Sequence, residues 1–156
     1  KFENLIVVRT FSKAFGLAGM RIGYTMSNKK IIGYMLSIKP IYEINAVNIK
    51  LVRFFLKNLN IMKNYVAEVA KSRILFKNSL KKHNIEVVGK YSNTVLFKLK
   101  DNNQVKKIIK YLYKKKFIIR PMTIDGDNSY IRATIGGVKI MKNFLKQFDI
   151  GIKKFK

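Results

Sequence analysis

Apolar and polar positions follow two rhythms along this chain. Short apolar runs bounded by turn formers stand at residues 4–9 and 22–26 and read as buried strands, the first within a parallel sheet. Residues 29–38 then take up helical spacing behind Ser27 and Asn28, which supply an N-cap, and Pro40 closes that helix. After an extended linker over residues 41–45, a second helix fits residues 46–59, with Val47, Leu51, Phe54 and Phe55 on one face. A third, over residues 61–83, carries Met62, Val66, Val69, Phe76 and Leu80 as one apolar stripe, which predicts core packing. From there the pattern becomes a small α/β unit. Strands are predicted over residues 85–88 and 95–99 around a turn at 89–93, and a helix over 103–115 capped by Asp101 or Asn102. A strand over 117–120 stopped by Pro121, a turn at 125–128, a strand over 130–135 and a helix over 138–148 complete it, with a basic tail at 151–156.

Composition narrows the picture. The chain has 156 residues, 48% of them hydrophobic, which suits an ordinary globular domain. It has no cysteine, so disulfides and thiolate metal sites are excluded and no metal site is expected, and a reducing cytoplasm is compatible. No apolar run has the length that spans a bilayer, and the first residues lack a signal-peptide pattern. The net charge of +25 would ordinarily point to nucleic acid, but the lysines are spread along the whole chain among Asn and Ile. The chain opens on Lys1 and enters a strand almost at once, which reads as the later part of a larger protein.

The candidate chemistry gathers at the end of the first strand, and carboxyl ends of strands are where open α/β sheets bind ligands. Thr10 and Ser12 offer hydroxyls, Lys13 an amine and Arg21 a guanidinium, spaced by Gly16 and Gly19. Lysines in apolar and cationic surroundings serve as nucleophiles towards aldehydes. Hydroxyls and a planar guanidinium suit a phosphate, and glycines allow a tight turn close to a ligand.

The stretch T-F-S-K-A-F-G-L-A-G-M-R-I-G-Y over residues 10–24 resembles the cofactor-lysine signature of class I and II pyridoxal-phosphate aminotransferases, closest to the histidinol-phosphate branch. The resemblance implies an α/β fold: the C-terminal part of a fold type I pyridoxal-phosphate transferase. Residues 1–60 would close the large cofactor-binding domain, and residues 61–156 would form the small C-terminal α/β domain. It also implies roles. Lys13 would hold pyridoxal 5'-phosphate as a Schiff base and move the substrate proton, with Thr10, Ser12 and Arg21 on the cofactor phosphate. Y-I-R-A-T-I-G over residues 130–136 resembles the strand that carries the arginine for the substrate α-carboxylate, here Arg132. F-I-I-R-P over residues 117–121 resembles the strand bringing an arginine, here Arg120, to a substrate phosphate. Ser92-Asn93-Thr94 falls where the family has a substrate-side Asn, here Asn93, and Tyr42 to Asn45 falls on an active-site segment. His83 is assigned nothing and reads as a surface residue.

The family's pyridinium carboxylate, stacking aromatic and phosphate-binding helix all precede the lysine strand. The chain is therefore expected to be inactive alone, and the intact enzyme to be a cytoplasmic homodimer acting on a small amino donor and a keto acid. Two alternatives remain open at this point. One is a pyridoxal-phosphate decarboxylase on the same scaffold. The other is a non-catalytic basic domain that binds nucleic acid, which leaves the Ser12 to Arg21 loop without a purpose.

Overall fold

A computed structural model describes residues 2–41 and 43–156. They divide into two compact units, Lys1–Tyr65 and Val66–Lys156.

The first unit opens with strand β1, Val7–Thr10, and β2, Gly23–Met26, which pair in register from Val7 opposite Met26 to Thr10 opposite Gly23. The pairing is antiparallel, so the two strands of this unit do not themselves make the parallel sheet expected around β1. The chain between Thr10 and Gly23 folds back on itself, and a parallel pair would require a crossover. Nor is β1 buried in this unit: Val8, Arg9 and Thr10 are exposed, as are Leu5 and Ile6 just before it. Helix α1, Lys29–Ser37, starts where the Asn28 side chain accepts a 2.9 Å hydrogen bond from the Ile31 amide. Helix α2, Ala46–Lys57, is capped in the same way by Asn45, which accepts from Asn48 at 2.8 Å. The small core of the unit is Phe11, Leu17 and Ile22, packed against Phe15, Met20, Val52 and Phe55.

Helix α3, Leu59–Lys81, continues from the first unit into the second. The second unit contains β3, Val87–Val88, β4, Thr94–Lys98, α4, Asn102–Lys114, β5, Arg120–Ile124, β6, Asp127–Thr134, and α5, Val138–Lys154. Its sheet runs β3-β4-β6-β5, antiparallel throughout. Period-two alternation sends Val95 and Phe97 of β4, and Ile131 and Ala133 of β6, into the core. There they meet Phe76 and Leu80 of α3, Ile108 and Leu112 of α4, and Phe144 and Phe148 of α5.

Two expectations change here. Pro121 was expected to stop a strand over 117–120, yet β5 begins at Arg120 and runs through Pro121. Proline is tolerated because β5 is the edge strand of this sheet. The basic tail at 151–156 is instead mostly helix, since α5 extends to Lys154. Gly151 lies inside it as a point of close packing: a Cβ there would stand 3.0 Å from Tyr111 Cδ1 and 3.2 Å from Ile108 Cδ1.

Candidate active site

The candidate residues fall into one group in each unit. In the first unit the loop over residues 11–22 is held by its own backbone. The Phe11 amide donates to Ile22 O at 3.1 Å, the Leu17 amide to Phe11 O at 3.1 Å, and the Gly16 amide to Lys13 O at 3.0 Å. The aromatic ring of Phe11 packs edge-on against Phe15, with centroids 4.9 Å apart. The side-chain amide of Asn48, from α2, donates to Met20 O at 3.0 Å. Apolar residues thus turn inward, and the loop presents its polar ones: Lys13 and Arg21 are exposed and Ser12 is half-buried.

Thr10 and Ser12 interlock at the root of this loop. The Ser12 amide donates to Thr10 Oγ1 at 3.0 Å, and the Thr10 hydroxyl donates to Ser12 Oγ at 2.8 Å. Ser12 keeps its own hydroxyl proton for an outside acceptor. Arg21 has left-handed backbone, φ 51° and ψ 43°, unusual for a residue with a side chain and costly by about 1–2 kcal/mol. Its Nη1 donates to Ala18 O at 3.3 Å, which leaves most of the guanidinium donors free. An amine, a free hydroxyl and an underused guanidinium on one ordered loop fit a ligand with an aldehyde and a phosphate. The glycines divide. Gly16 has φ +70° and needs its lack of a Cβ, whereas Gly19 has neither a positive φ nor a close neighbour, contrary to expectation. Gly23, passed over in the sequence, is the constrained one. A Cβ there would lie 2.4 Å from Arg9 O, so only glycine lets β2 approach β1.

In the second unit, the strand register sets Arg120 of β5 directly opposite Arg132 of β6. Arg132 also stands opposite Leu96 of β4. Both arginines are exposed, on the face away from the core, and neither forms an ion pair among the described residues. Directly opposed side chains in an antiparallel pair have Cβ atoms about 4.5–5.5 Å apart, and like charges so placed repel. Two guanidiniums in that position have the chemistry to take up an anion.

The strands that carry them are fixed by a polar lock at the hairpin. Lys98 Nζ reaches Asp127 Oδ2 at 2.7 Å, and Asp127 Oδ1 accepts from the Ser129 hydroxyl at 2.5 Å and the Ser129 amide at 2.8 Å. The hydrogen bond from Lys98, then those from Ser129, hold the Asp127 carboxyl down to about 2. The same hydrogen bond raises the Lys98 ammonium above its ordinary range.

Asn93 is half-buried on the loop before β4, and its carbonyl accepts from the Ile135 amide at 2.7 Å. Arg120, Arg132 and Asn93 are thus gathered in one unit, while Thr10, Ser12, Lys13 and Arg21 are gathered in the other. Of the segment 42–45, Tyr42 lies outside the described residues, and Asn45 spends its side-chain oxygen on capping α2. His83 was read as a surface residue, but its side chain is only 15% exposed, and Nε2 lies 2.5 Å from Asp149 Oδ1. That contact pins the turn after α3 to α5 and pulls the Asp149 carboxyl below its ordinary value. Its partner stands 66 residues away in sequence, where no local pattern signals it.

Comparison with known proteins gives the chain a family and a fold. The model of the family "Aminotransferase class I and II" matches residues 1–147. The histidinol-phosphate aminotransferase of Methanocaldococcus jannaschii is 38% identical over 149 residues, covering 94% of this chain and 40% of that protein. The chain therefore spans well under half the length of that relative. The crystal structure of histidinol-phosphate aminotransferase from Sinorhizobium meliloti, in complex with pyridoxal-5'-phosphate, superposes with a TM-score of 0.86 at 24% identity. That superposition covers 99% of this chain and 42% of that one. The enzyme of the same name from Clostridium acetobutylicum gives 0.85 at 24% identity, over 97% and 47%. The fold is thus that of the C-terminal part of fold type I transferases, and the chain belongs to the class I and II aminotransferase family, with its similarity in the histidinol-phosphate aminotransferase branch.

Proposed function

We propose that the complete protein is a pyridoxal-phosphate-dependent aminotransferase whose substrates include a phosphorylated amine. The observation that carries the substrate side is the cross-strand pair Arg120 and Arg132, two cations opposed on an exposed face and ion-paired with no carboxylate among the described residues. In this reading residues 1–60 close the large cofactor domain and residues 61–156 form the small domain. A cytoplasmic homodimer is the assembly that goes with it.

The cofactor, when bound, supplies an electron sink for the substrate α-carbon. The rest falls to the chain. Lys13 Nζ would hold the cofactor through its aldehyde carbon, with loss of water, and, once displaced by the substrate amine, would carry the proton from the substrate α-carbon to the cofactor carbon. Ser12 donates its free hydroxyl proton to the cofactor phosphate, Arg21 adds its unspent N–H groups, and Thr10 orients Ser12. Arg132 grips a substrate carboxylate through its planar fork, with Asn93 beside the same strand, and Arg120 receives a substrate phosphate.

Borohydride reduction in the presence of pyridoxal phosphate, followed by peptide mapping, tests the assignment on the complete enzyme. The pyridoxyl label is expected at Lys13 and is lost in Lys13→Ala. Labelling scattered over the other lysines, equal in both proteins, refutes it. Product analysis separates reaction types: a keto acid supports transamination, and an amine with carbon dioxide identifies a decarboxylase.

A further inference from the structure

The loop over residues 89–93 is anchored by an arginine that no reading of the site has used. Arg73, half-buried on α3, donates from each of its three guanidinium nitrogens to three consecutive carbonyls of that loop. Its Nη1 donates to Lys90 O at 3.0 Å, Nη2 to Tyr91 O at 3.2 Å and Nε to Ser92 O at 3.0 Å. It has no carboxylate partner among the described residues.

The next residue after those three carbonyls is Asn93. Its own carbonyl is taken by the Ile135 amide at 2.7 Å, just past the end of the strand that carries Arg132. Ser92 Oγ accepts from the Thr94 amide at 3.0 Å and so starts β4. Gly89 turns the loop with φ +126°, where a Cβ would stand 2.9 Å from Thr94 O. The backbone on both sides of Asn93 is therefore tied, on one side to α3 through Arg73 and on the other to the end of β6. No hydrogen bond engages the Asn93 side-chain amide among the described residues, so a rigid backbone presents a free amide.

We propose that Arg73 is a positioning residue that fixes the Asn93 amide for a substrate carboxylate held by Arg132. The proposal rests on the carboxylate-site reading of Arg132 given above. A fork is needed because a lysine's single ammonium nitrogen cannot span three carbonyls in a row. Arg73 itself touches no reacting atom.

Two readouts test it. In the chain itself, Arg73→Lys is expected to speed hydrogen exchange at the Thr94 and Ile135 amides, whose acceptors the loop supplies. Amides of the α4 interior should be unchanged, which also verifies that the variant is folded. In the complete, cofactor-loaded enzyme with glutamate as donor, Arg73→Lys is expected to raise KM about ten-fold while kcat stays within about two-fold. In the Asn93→Ala background the same substitution should add nothing further, because both act through one amide. Additive effects, or unchanged exchange at Thr94 and Ile135, overturn the proposal. Arg132→Lys is the separate control. If it leaves the glutamate KM unchanged, the carboxylate-site reading fails, and the exchange data alone then decide whether Arg73 orders the loop.

Discussion

Replacing Arg120 by Gln should make the empty protein more stable and the anion-bound protein less so. Arg120 faces Arg132 across the β5–β6 ladder, and both side chains project into solvent. If the guanidiniums keep the cross-strand Cβ spacing of about 5 Å, their unit charges repel by about 0.8 kcal/mol in water, and a screening length of about 8 Å at physiological salt roughly halves this. In a unit of this size each kcal/mol moves the melting temperature by about 4–8 °C. Arg120→Gln is therefore expected to raise the melting temperature by roughly 3–6 °C in very dilute salt, by about 2–3 °C at 0.15 M, and hardly at all at 1 M. Inorganic phosphate at ten times its dissociation constant contributes about 1.4 kcal/mol to the wild-type protein, which the variant should largely forgo.

The assay is thermal unfolding by circular dichroism across a salt series, with and without phosphate. Lys106→Gln on α4 is the control, because it removes the same charge from an exposed helical position with no cross-strand neighbour. Three results would refute the reasoning. The first is a fall in stability on losing Arg120. The second is a gain equal to that of the control. The third is a phosphate response left intact.

Ser72 offers a second test, on packing. It is fully buried, and its hydroxyl has no hydrogen-bond partner among the described residues, whereas buried Ser129 is satisfied by Asp127. An unsatisfied buried hydroxyl costs about 1–3 kcal/mol and alanine is the better helix former, so Ser72→Ala should stabilise by about 1 kcal/mol in urea unfolding. A loss would show that the hydroxyl has a partner. Stability should also depend on acid through Asp127, whose carboxyl is held at about 2, below its usual value of 3.8. A depressed carboxylate stabilises above its unfolded pKa and loses that contribution as pH falls through its folded one, so the loss is expected between about pH 4 and pH 2. Asp127→Asn should flatten that part of a pH-dependent unfolding curve, and an unchanged slope would count against the Lys98–Asp127–Ser129 lock.

The parts of this structure that the sequence revealed are those written in local chemistry. Asn28 and Asp101 announce helix starts, and each does accept the expected backbone hydrogen bond, while Asn45, read as part of a linker, caps α2 in the same way. On α3, Val69, Phe76 and Leu80 are buried as the apolar spacing predicts, because a helix must bury one face, whereas Val66 of the same predicted stripe stays exposed. The Lys13 loop stood out because its residue types are crowded into a dozen positions. What stayed hidden depends on partners far away in sequence. Pro121 reads as a strand stop until β5 is known to be an edge. Gly151 reads as a helix end until Tyr111 and Ile108 are seen pressing on it. Arg73 is one basic residue among 33 until its three carbonyl acceptors come into view.

The same dependence explains why so much of the second unit serves strand register. Arg120 and Arg132 share an exposed face only because β5 and β6 pair as they do. A one-residue slip of β5 would send Arg120 to the opposite face, towards the core. Several separate devices prevent it. Asp125 and Gly126 both have positive φ, 50° and 80°, which makes the tight two-residue turn of a hairpin. The ladder is irregular between Met122 and Ile124, and a bulge of that kind pins its own position. Asp127 ties the start of β6 to Lys98 on β4, and the buried side chains of Ile131 and Ala133 admit no guanidinium in their place. None of these residues touches a ligand in the proposed reaction. Their common effect is to hold two mutually repelling cations together, and an anion bound between them relieves that repulsion.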